Sequence, residues 1–295
     1  MIYNILGDIY AIITAICWSS AVILFDISSK KFNALQLNAI KNLIGVLGFI
    51  VTIIVFAIPS PIFLINELII LFISGILGIL IADLFFLESL KRLGSGLSAV
   101  ISTIYTPSIF VISFLLYQET VGGQAYFGGL LVVVGIIISS IKIPNNVTSN
   151  NLYIGITFGI IAQILTAYSI LIVKPIMQDN SIIYIALYRF GIGLLTSVIV
   201  CTLKYGFLST YLNFKNGFKN RTVVLGSILG TYLSVIFWLA GYKYTLAGRA
   251  AIYNQLSTIF IILMARIILK EDLSMKKIIG VALSIIGALI VSITH

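Results

Sequence analysis

Ten long apolar stretches, separated by short polar hinges, run through nearly all of this chain, and the last five repeat the first five. They cover residues 7–27, 35–58, 68–90, 97–116, 125–143, 152–173, 182–203, 223–244, 250–269 and 275–293. Each comes close to the roughly 20 apolar residues that a helix needs to cross a bilayer core. An offset of 152, the difference between 271 and 119, places Glu119 on Glu271, Gly96 on Gly248, Thr106 on Thr258, Gly128 on Gly280, Gly135 on Gly287 and Ser140 on Ser292. Residues 1–146 and 147–295 therefore read as a duplicated unit of five spans. The expected fold class is all-α integral membrane, because a lone segment in lipid satisfies its backbone only as a helix.

Composition agrees. Hydrophobic residues make up 60% of the chain, charged residues only 9%, and mean hydropathy is +1.16, whereas soluble domains carry roughly a quarter charged residues. The first stretch has no basic residue ahead of it, only Asp8, and it is long, so it reads as a retained helix rather than a cleaved signal. Cys17 and Cys201 fall inside spans, where no disulfide framework is expected.

The net charge of +9 does not imply a nucleic-acid partner, since the bases are scattered over span ends rather than gathered on one face. Lys30, Lys31, Lys41, Lys91, Arg92, Lys142, Lys204, Lys215, Lys219, Arg221, Arg266, Lys270, Lys276 and Lys277 lie at one set of alternating ends, and only Lys174, Arg189, Lys243 and Arg249 at the other. The positive-inside rule makes the first set cytoplasmic and places both termini outside the cell membrane. Because five is odd, the second half enters upside down relative to the first. Two inverted five-helix repeats, ten transmembrane helices in all, are the expectation. Phe207, Tyr211, Phe214 and Phe218 recur at helical spacing among Lys215, Lys219 and Arg221, as in a short helix lying on an anionic leaflet; a basic loop is the alternative.

Two five-helix halves, a Gly-rich fifth span after a glutamate hinge (Tyr117-Gln118-Glu119, Leu269-Lys270-Glu271) and the run from Gly94 into a polar fourth span resemble the EamA-type branch of the drug/metabolite transporter superfamily. The resemblance covers nearly the full chain. It implies an alternating-access carrier with a central cavity lined by spans 1, 3, 4, 6, 8 and 9, with spans 5 and 10 at the periphery.

Inverted repeats by themselves place a substrate site near the bilayer midplane, between the halves. In span 4, Ser102, Tyr105 and Thr106 share a helical face with Ser98 and Ser113, and Thr103 lies beside it; span 9 offers Asn254, Gln255, Ser257 and Thr258 at matching depth. Hydroxyls in membrane helices often bond back to their own backbone or join helices, but the amides of Asn254 and Gln255 are expensive to leave unpaired in hydrocarbon. Gln163 and Thr166 of span 6, Trp18 of span 1, and Trp238 and Tyr242 of span 8 complete the candidate cavity wall, the aromatics having packing or an interfacial belt as alternatives.

Charges inside the bilayer are costly, about 3 kcal/mol on insertion scales. Asp83 lies roughly 12 Å deep at 1.5 Å per residue; it pairs with Lys41, holds a proton as a coupling group, or is solvated at the helix end. Arg189 matches Lys41 in the second half, but Val235 stands where Asp83 would. Arg189 snorkels to the surface, pairs with Asp179, or faces the cavity and holds an anion. Solvation is the default for Asp26, Glu88 and Arg266. Pro107 predicts a kink in span 4 that span 9, with Ile259, should lack.

Function classes narrow accordingly. The only histidine is His295, and no metalloprotease, intramembrane-protease or nucleotide-binding loop motif is present, so neither an enzyme nor an ATP-driven pump is expected and no cofactor or metal is implied. The favoured reading is a secondary carrier of small organic solutes, proton-coupled or driven by another gradient, and an exporter of amino acids or related metabolites as the resemblance implies. A lipid or lipid-linked sugar flippase on the same fold is the alternative. Oligomeric state leaves no signal in these residues.

Overall fold

A computed structural model describes residues 2–120, 122–140, 148–269 and 275–293, and those residues are almost entirely helical. Helices α1 (Ile2–Ser29) and α2 (Ala34–Val55) are joined by a tight turn, where Asn33 caps α2 by accepting a hydrogen bond from the Gln36 amide. The third rod is composite: α3 (Ile65–Ser74) passes through a π-helical stretch (Gly75–Ala82) into α4 (Asp83–Ile101). The backbone turns within α4 at Gly94, whose φ of 75° lies where a side chain would be strained. A 3-10 turn (Ser102–Ile104) then leads into α5 (Tyr105–Tyr117), and α6 (Gly123–Ser140) ends the first half.

The second half repeats this order. Helix α7 (Ser149–Leu171), the short α8 (Lys174–Asp179) and α9 (Ile182–Tyr205) are followed by α10 (Phe207–Lys219). The eighth rod is again composite: α11 (Arg221–Ser227), a π-helical stretch (Ile228–Leu233) and α12 (Ser234–Tyr244). Helices α13 (Ala247–Asn254), α14 (Leu256–Leu269) and α15 (Met275–Ile293) close the chain. Among the described residues, six helical segments are long and apolar enough to cross a membrane: Ile5–Ser29, Ala34–Val55, Ile65–Ala99, Ser149–Leu171, Ile182–Tyr205 and Arg221–Tyr244. Shorter apolar helices cover Ser102–Tyr117, Gly123–Gly135 and Ile278–Gly287. Lys142, Lys270 and Glu271 lie outside the described residues.

Both π-helical stretches fall at the same place in the repeat, since 152 residues beyond Gly75–Ala82 lies the segment containing Ile228–Leu233. Such insertions shift helix register and cluster at functional sites. Nothing in the apolar periodicity of either segment announces them.

Both halves contribute to one core, in which Phe49, Leu71 and Ile109 pack with Ile170, Phe190, Leu239 and Ala250. Outward-facing Ile54, Val55, Leu115, Leu195, Leu203 and Leu289 are more than half exposed, an apolar girdle that water would penalise and lipid would not. Helices α6 and α15 pack on each other away from the centre. There the backbones approach so closely that a methyl group on Gly287 would sit 2.9 Å from the Val132 amide nitrogen. Helix α10 turns Thr210, Asn213 and Gly217 inward and leaves Phe207, Leu208, Tyr211, Leu212 and Phe218 exposed, so the 207–219 segment is an amphipathic helix rather than a basic loop.

Candidate functional site

Between the halves lies a cavity of about 140 Å³. Its wall includes Trp18 from α1, Asp83 from α4, Ser102 and Tyr105 at the break in the fourth rod, Gln163 and Thr166 from α7, Trp238 from α12, and Asn254, Gln255 and Ser257 around the break between α13 and α14. Among the described residues, nothing from α6 or α15 reaches it. Beyond the six expected spans, the second and seventh also contribute, because Lys41 on α2 and Arg189 on α9 both line the cavity.

Both fourth helices are interrupted where the halves meet. In the first half the 3-10 turn at Ser102–Ile104 sits just before Pro107, which has no amide hydrogen and whose ring crowds the carbonyl four residues back, that of Thr103. In the second half, where no proline stands, the helix is irregular at Gln255, whose backbone stays in the right-handed helical region and whose main-chain amide donates to the Ala251 and Ile252 carbonyls. Its Gln255 Nε2 donates to the Ser102 carbonyl across the interface at 3.0 Å, while Gln163 Nε2 donates to Ser102 Oγ at 3.3 Å. Asn254 Oδ1 is buried and has no hydrogen-bond partner.

Four of the expected wall residues lie behind the surface. Thr106 and Thr258 are buried and donate to backbone carbonyls of the opposite half, at Ala251 and Ala99. Thr103 is buried beside the 3-10 turn. Tyr242 is fully buried and shares a 2.6 Å hydroxyl–hydroxyl hydrogen bond with Tyr105, whose oxygen also accepts from Trp238 Nε1 at 3.3 Å. Helical periodicity places residues on a face but leaves open whether that face meets a void or a neighbouring helix, and here the neighbour is close.

The intramembrane charges resolve into two arrangements. Lys41 Nζ is 2.5 Å from Asp83 Oδ2 and donates to Asn42 Oδ1 at 3.1 Å, so Asp83 has a cation beside it. Arg189 is fully buried. It neither snorkels nor pairs with Asp179: its guanidinium lies 5.6 Å from the Trp238 ring centroid, and Nη2 donates to Ser169 Oγ at 3.4 Å. Gly78 in the π-helical stretch leaves room for the Ser169 side chain that meets the guanidinium, since a methyl there would collide with Ser169 Oγ and crowd Nη2 at 3.3 Å. Among the charges expected to be solvated, Glu88 pairs with Arg92 and Asp26 accepts from the Ser95 amide.

Two further ion pairs were not legible as pairs. Asp8 Oδ2 accepts from Arg249 Nη2 at 2.6 Å and its Oδ1 accepts from Thr245 Oγ1 at 3.4 Å; Glu119 Oε2 is 2.5 Å from Lys174 Nζ, and its Oε1 accepts from the Ala247 amide. Each acid belongs to the first half and each base to the second, and both pairs lie at the same end of the bundle. At the other end the described residues join the halves through neutral or exposed contacts, Ser28 with Thr222, Asn33 with Tyr205 and Arg92 with Asn151. Opposite charges far apart in sequence carry no signal of partnership until the fold brings them together. Ser169, Phe190, Gly78 and Phe86 also line the cavity without any pattern in the sequence that singled them out.

Comparisons with known proteins fit this geometry. The model of the EamA-like transporter family matches residues 5–141 and 153–293. A protein of known crystal structure, 15% identical, superposes over 99% of this chain and 98% of its own with a TM-score of 0.75, a likeness of fold alone. No curated protein matches by sequence. With the family model covering almost all of both halves, the chain belongs to the EamA-like transporter family and is a multi-pass membrane transporter.

Proposed function

We propose that the protein is a secondary carrier of small organic metabolites, with ten membrane spans arranged as the inverted repeats 1–146 and 147–295. It works in the cell membrane with both termini outside, exchanging access to the central cavity between the two faces. The observation that carries this reading is the irregularity of both fourth helices beside the same cavity, at Ser102–Ile104 and at Gln255. At both places the backbone stays helical and hydrogen-bonded while its bonding pattern tightens, and the side chains of Ser102, Asn254 and Gln255 face the cavity there, as expected of a solute site at a repeat interface. The aromatic and amide lining suits an organic body with a few polar handles. Amino acids and related metabolites moving outward are the class in view.

A flippase on the same architecture would need an apolar groove open to lipid, whereas this cavity, apolar over most of its surface, also carries the charged side chains of Lys41, Asp83 and Arg189 and the amides of Gln163, Asn254 and Gln255. Counterflow by the purified protein in liposomes tests the proposal. Uptake of a labelled solute driven by the same unlabelled solute inside supports a carrier. Absence of exchange across amino acids, organic acids, nucleosides and sugars, with lipid scrambling in the same vesicles, would replace it by the flippase.

A further inference from the structure

Among the described residues that line the cavity, Arg189 is the cation with no carboxylate at ion-pair distance; Asp83 acts on it only from farther off, already paired with Lys41. Lys41 and Asp83 line the same cavity and neutralise each other, so the three ionised groups together leave one positive charge on Arg189. Its guanidinium is fully buried, and two of its three nitrogens, Nε and Nη1, have no hydrogen-bond partner. A buried cation with unused donors is an expensive arrangement, tolerated where something else supplies the opposite charge. The Trp238 ring face and one long hydrogen bond to Ser169 stabilise the cation weakly and satisfy neither orphan donor.

We infer that Arg189 is the anion subsite of the carrier and that the transported solute is a small organic acid of net charge −1, bound through a carboxylate. The inference rests on the carrier reading and, within its small organic metabolites, selects acids of net charge −1 in place of zwitterionic amino acids. Guanidinium geometry matches a carboxylate through two parallel donors, Nη2 with either Nε or Nη1, so a carboxylate on either edge engages one of the two unpartnered nitrogens together with the second N–H of Nη2. A single negative charge brings the cavity to neutrality, a phosphate dianion would overshoot it, and a zwitterion would leave Arg189 uncompensated. Trp18, Phe86 and Phe190 supply apolar and aromatic wall for the body of the acid. Volume sets its size: at about 10–15 Å³ per water-sized probe the space holds roughly ten such units, hence on the order of ten non-hydrogen atoms.

The test is thermal unfolding of the full-length protein in detergent, in chloride-free buffer, with benzoate, benzamide, phenylalanine, phosphate or chloride added. Benzoate is expected to raise the midpoint, and its amide isostere and the zwitterion to do so little or not at all. Arg189→Gln should weaken the benzoate effect about tenfold or more in concentration, and Arg189→Lys less, because a charge-assisted hydrogen bond is lost in one and partly kept in the other. Equal protection by benzoate and benzamide in the unaltered protein overturns the inference without any variant. So does chloride or phosphate protecting as well as benzoate, or Arg189→Gln retaining the full response. Counterflow of a neutral solute by Arg189→Gln would leave the carrier reading standing while removing the acid specificity. A benzoate effect without counterflow of any solute would do the reverse.

Discussion

Thr106 and Thr258 make the same hydrogen bond in opposite directions: Thr106 Oγ1 donates to the Ala251 carbonyl at 3.3 Å, and Thr258 Oγ1 to the Ala99 carbonyl at 3.4 Å. The donors are 152 residues apart and so are the acceptors, so the two contacts are images of one another through the repeat. Each half thus contributes its fourth helix to the other at the depth where both helices are irregular.

Because the contacts are equivalent, removing either should have an equivalent effect. Thr106→Val and Thr258→Val keep the side-chain shape and delete one interhelical hydrogen bond, worth about 0.6 kcal/mol in a membrane protein. Thermal unfolding in detergent should show two small, similar losses, adding in the double variant. A large loss from one and none from the other would mean that the halves are not related in this way.

The Lys41–Asp83 pair makes a stronger demand. Asp83→Asn leaves a buried lysine uncompensated, as Lys41→Met leaves a buried carboxylate, and breaking such a pair costs about 3–5 kcal/mol. Each single variant should fall in folded yield and counterflow, while Lys41→Asp with Asp83→Lys restores both. A stable Asp83→Asn protein whose transport simply loses its pH dependence would show instead that Asp83 works by taking up a proton.

The Asp8–Arg249 and Glu119–Lys174 pairs tie the halves at one end of the bundle. Neutralising both acids, Asp8→Asn with Glu119→Gln, should loosen that end. A cysteine at Ser257, in a protein whose Cys17 and Cys201 are replaced by serine, should then react several-fold faster with an impermeant maleimide applied from the Asp8 side. An unchanged rate would mean that these pairs hold the fold together without holding the cavity shut.

The charge asymmetry of the hinges predicts orientation as well. In intact cells an impermeant reagent should label a cysteine placed just ahead of Gly7 and spare one at Asn216 in α10. The opposite pattern would reverse the topology, and with it the side on which the ion-pair clamps lie.

Much of this arrangement is written in the sequence and some of it is not. The odd repeat and the placement of lysines give inversion as an expectation. Span positions follow from apolar length, because that depends on local composition. The polar face of the fourth and ninth spans was legible for the same reason, and Ser102, Asn254 and Gln255 do reach the cavity. Tyr242 and Thr258 do not, since a neighbouring helix from the other half fills the space they face. The π-helical stretches leave no trace in hydrophobic periodicity. Arg189 meets a Ser169 side chain for which Gly78, 111 residues from the arginine by subtraction, leaves room, a relationship that only the packed structure supplies.

The most direct test of the central claim is two-sided access to a single cavity position. A cysteine at Gln163, in the same cysteine-free background, should react with impermeant maleimide in both right-side-out and inside-out vesicles, and saturating transported solute should protect it in each. Reaction from neither face, with modification only by a lipid-soluble reagent, would contradict the account, because position 163 would then face acyl chains rather than a chamber open in turn to either side.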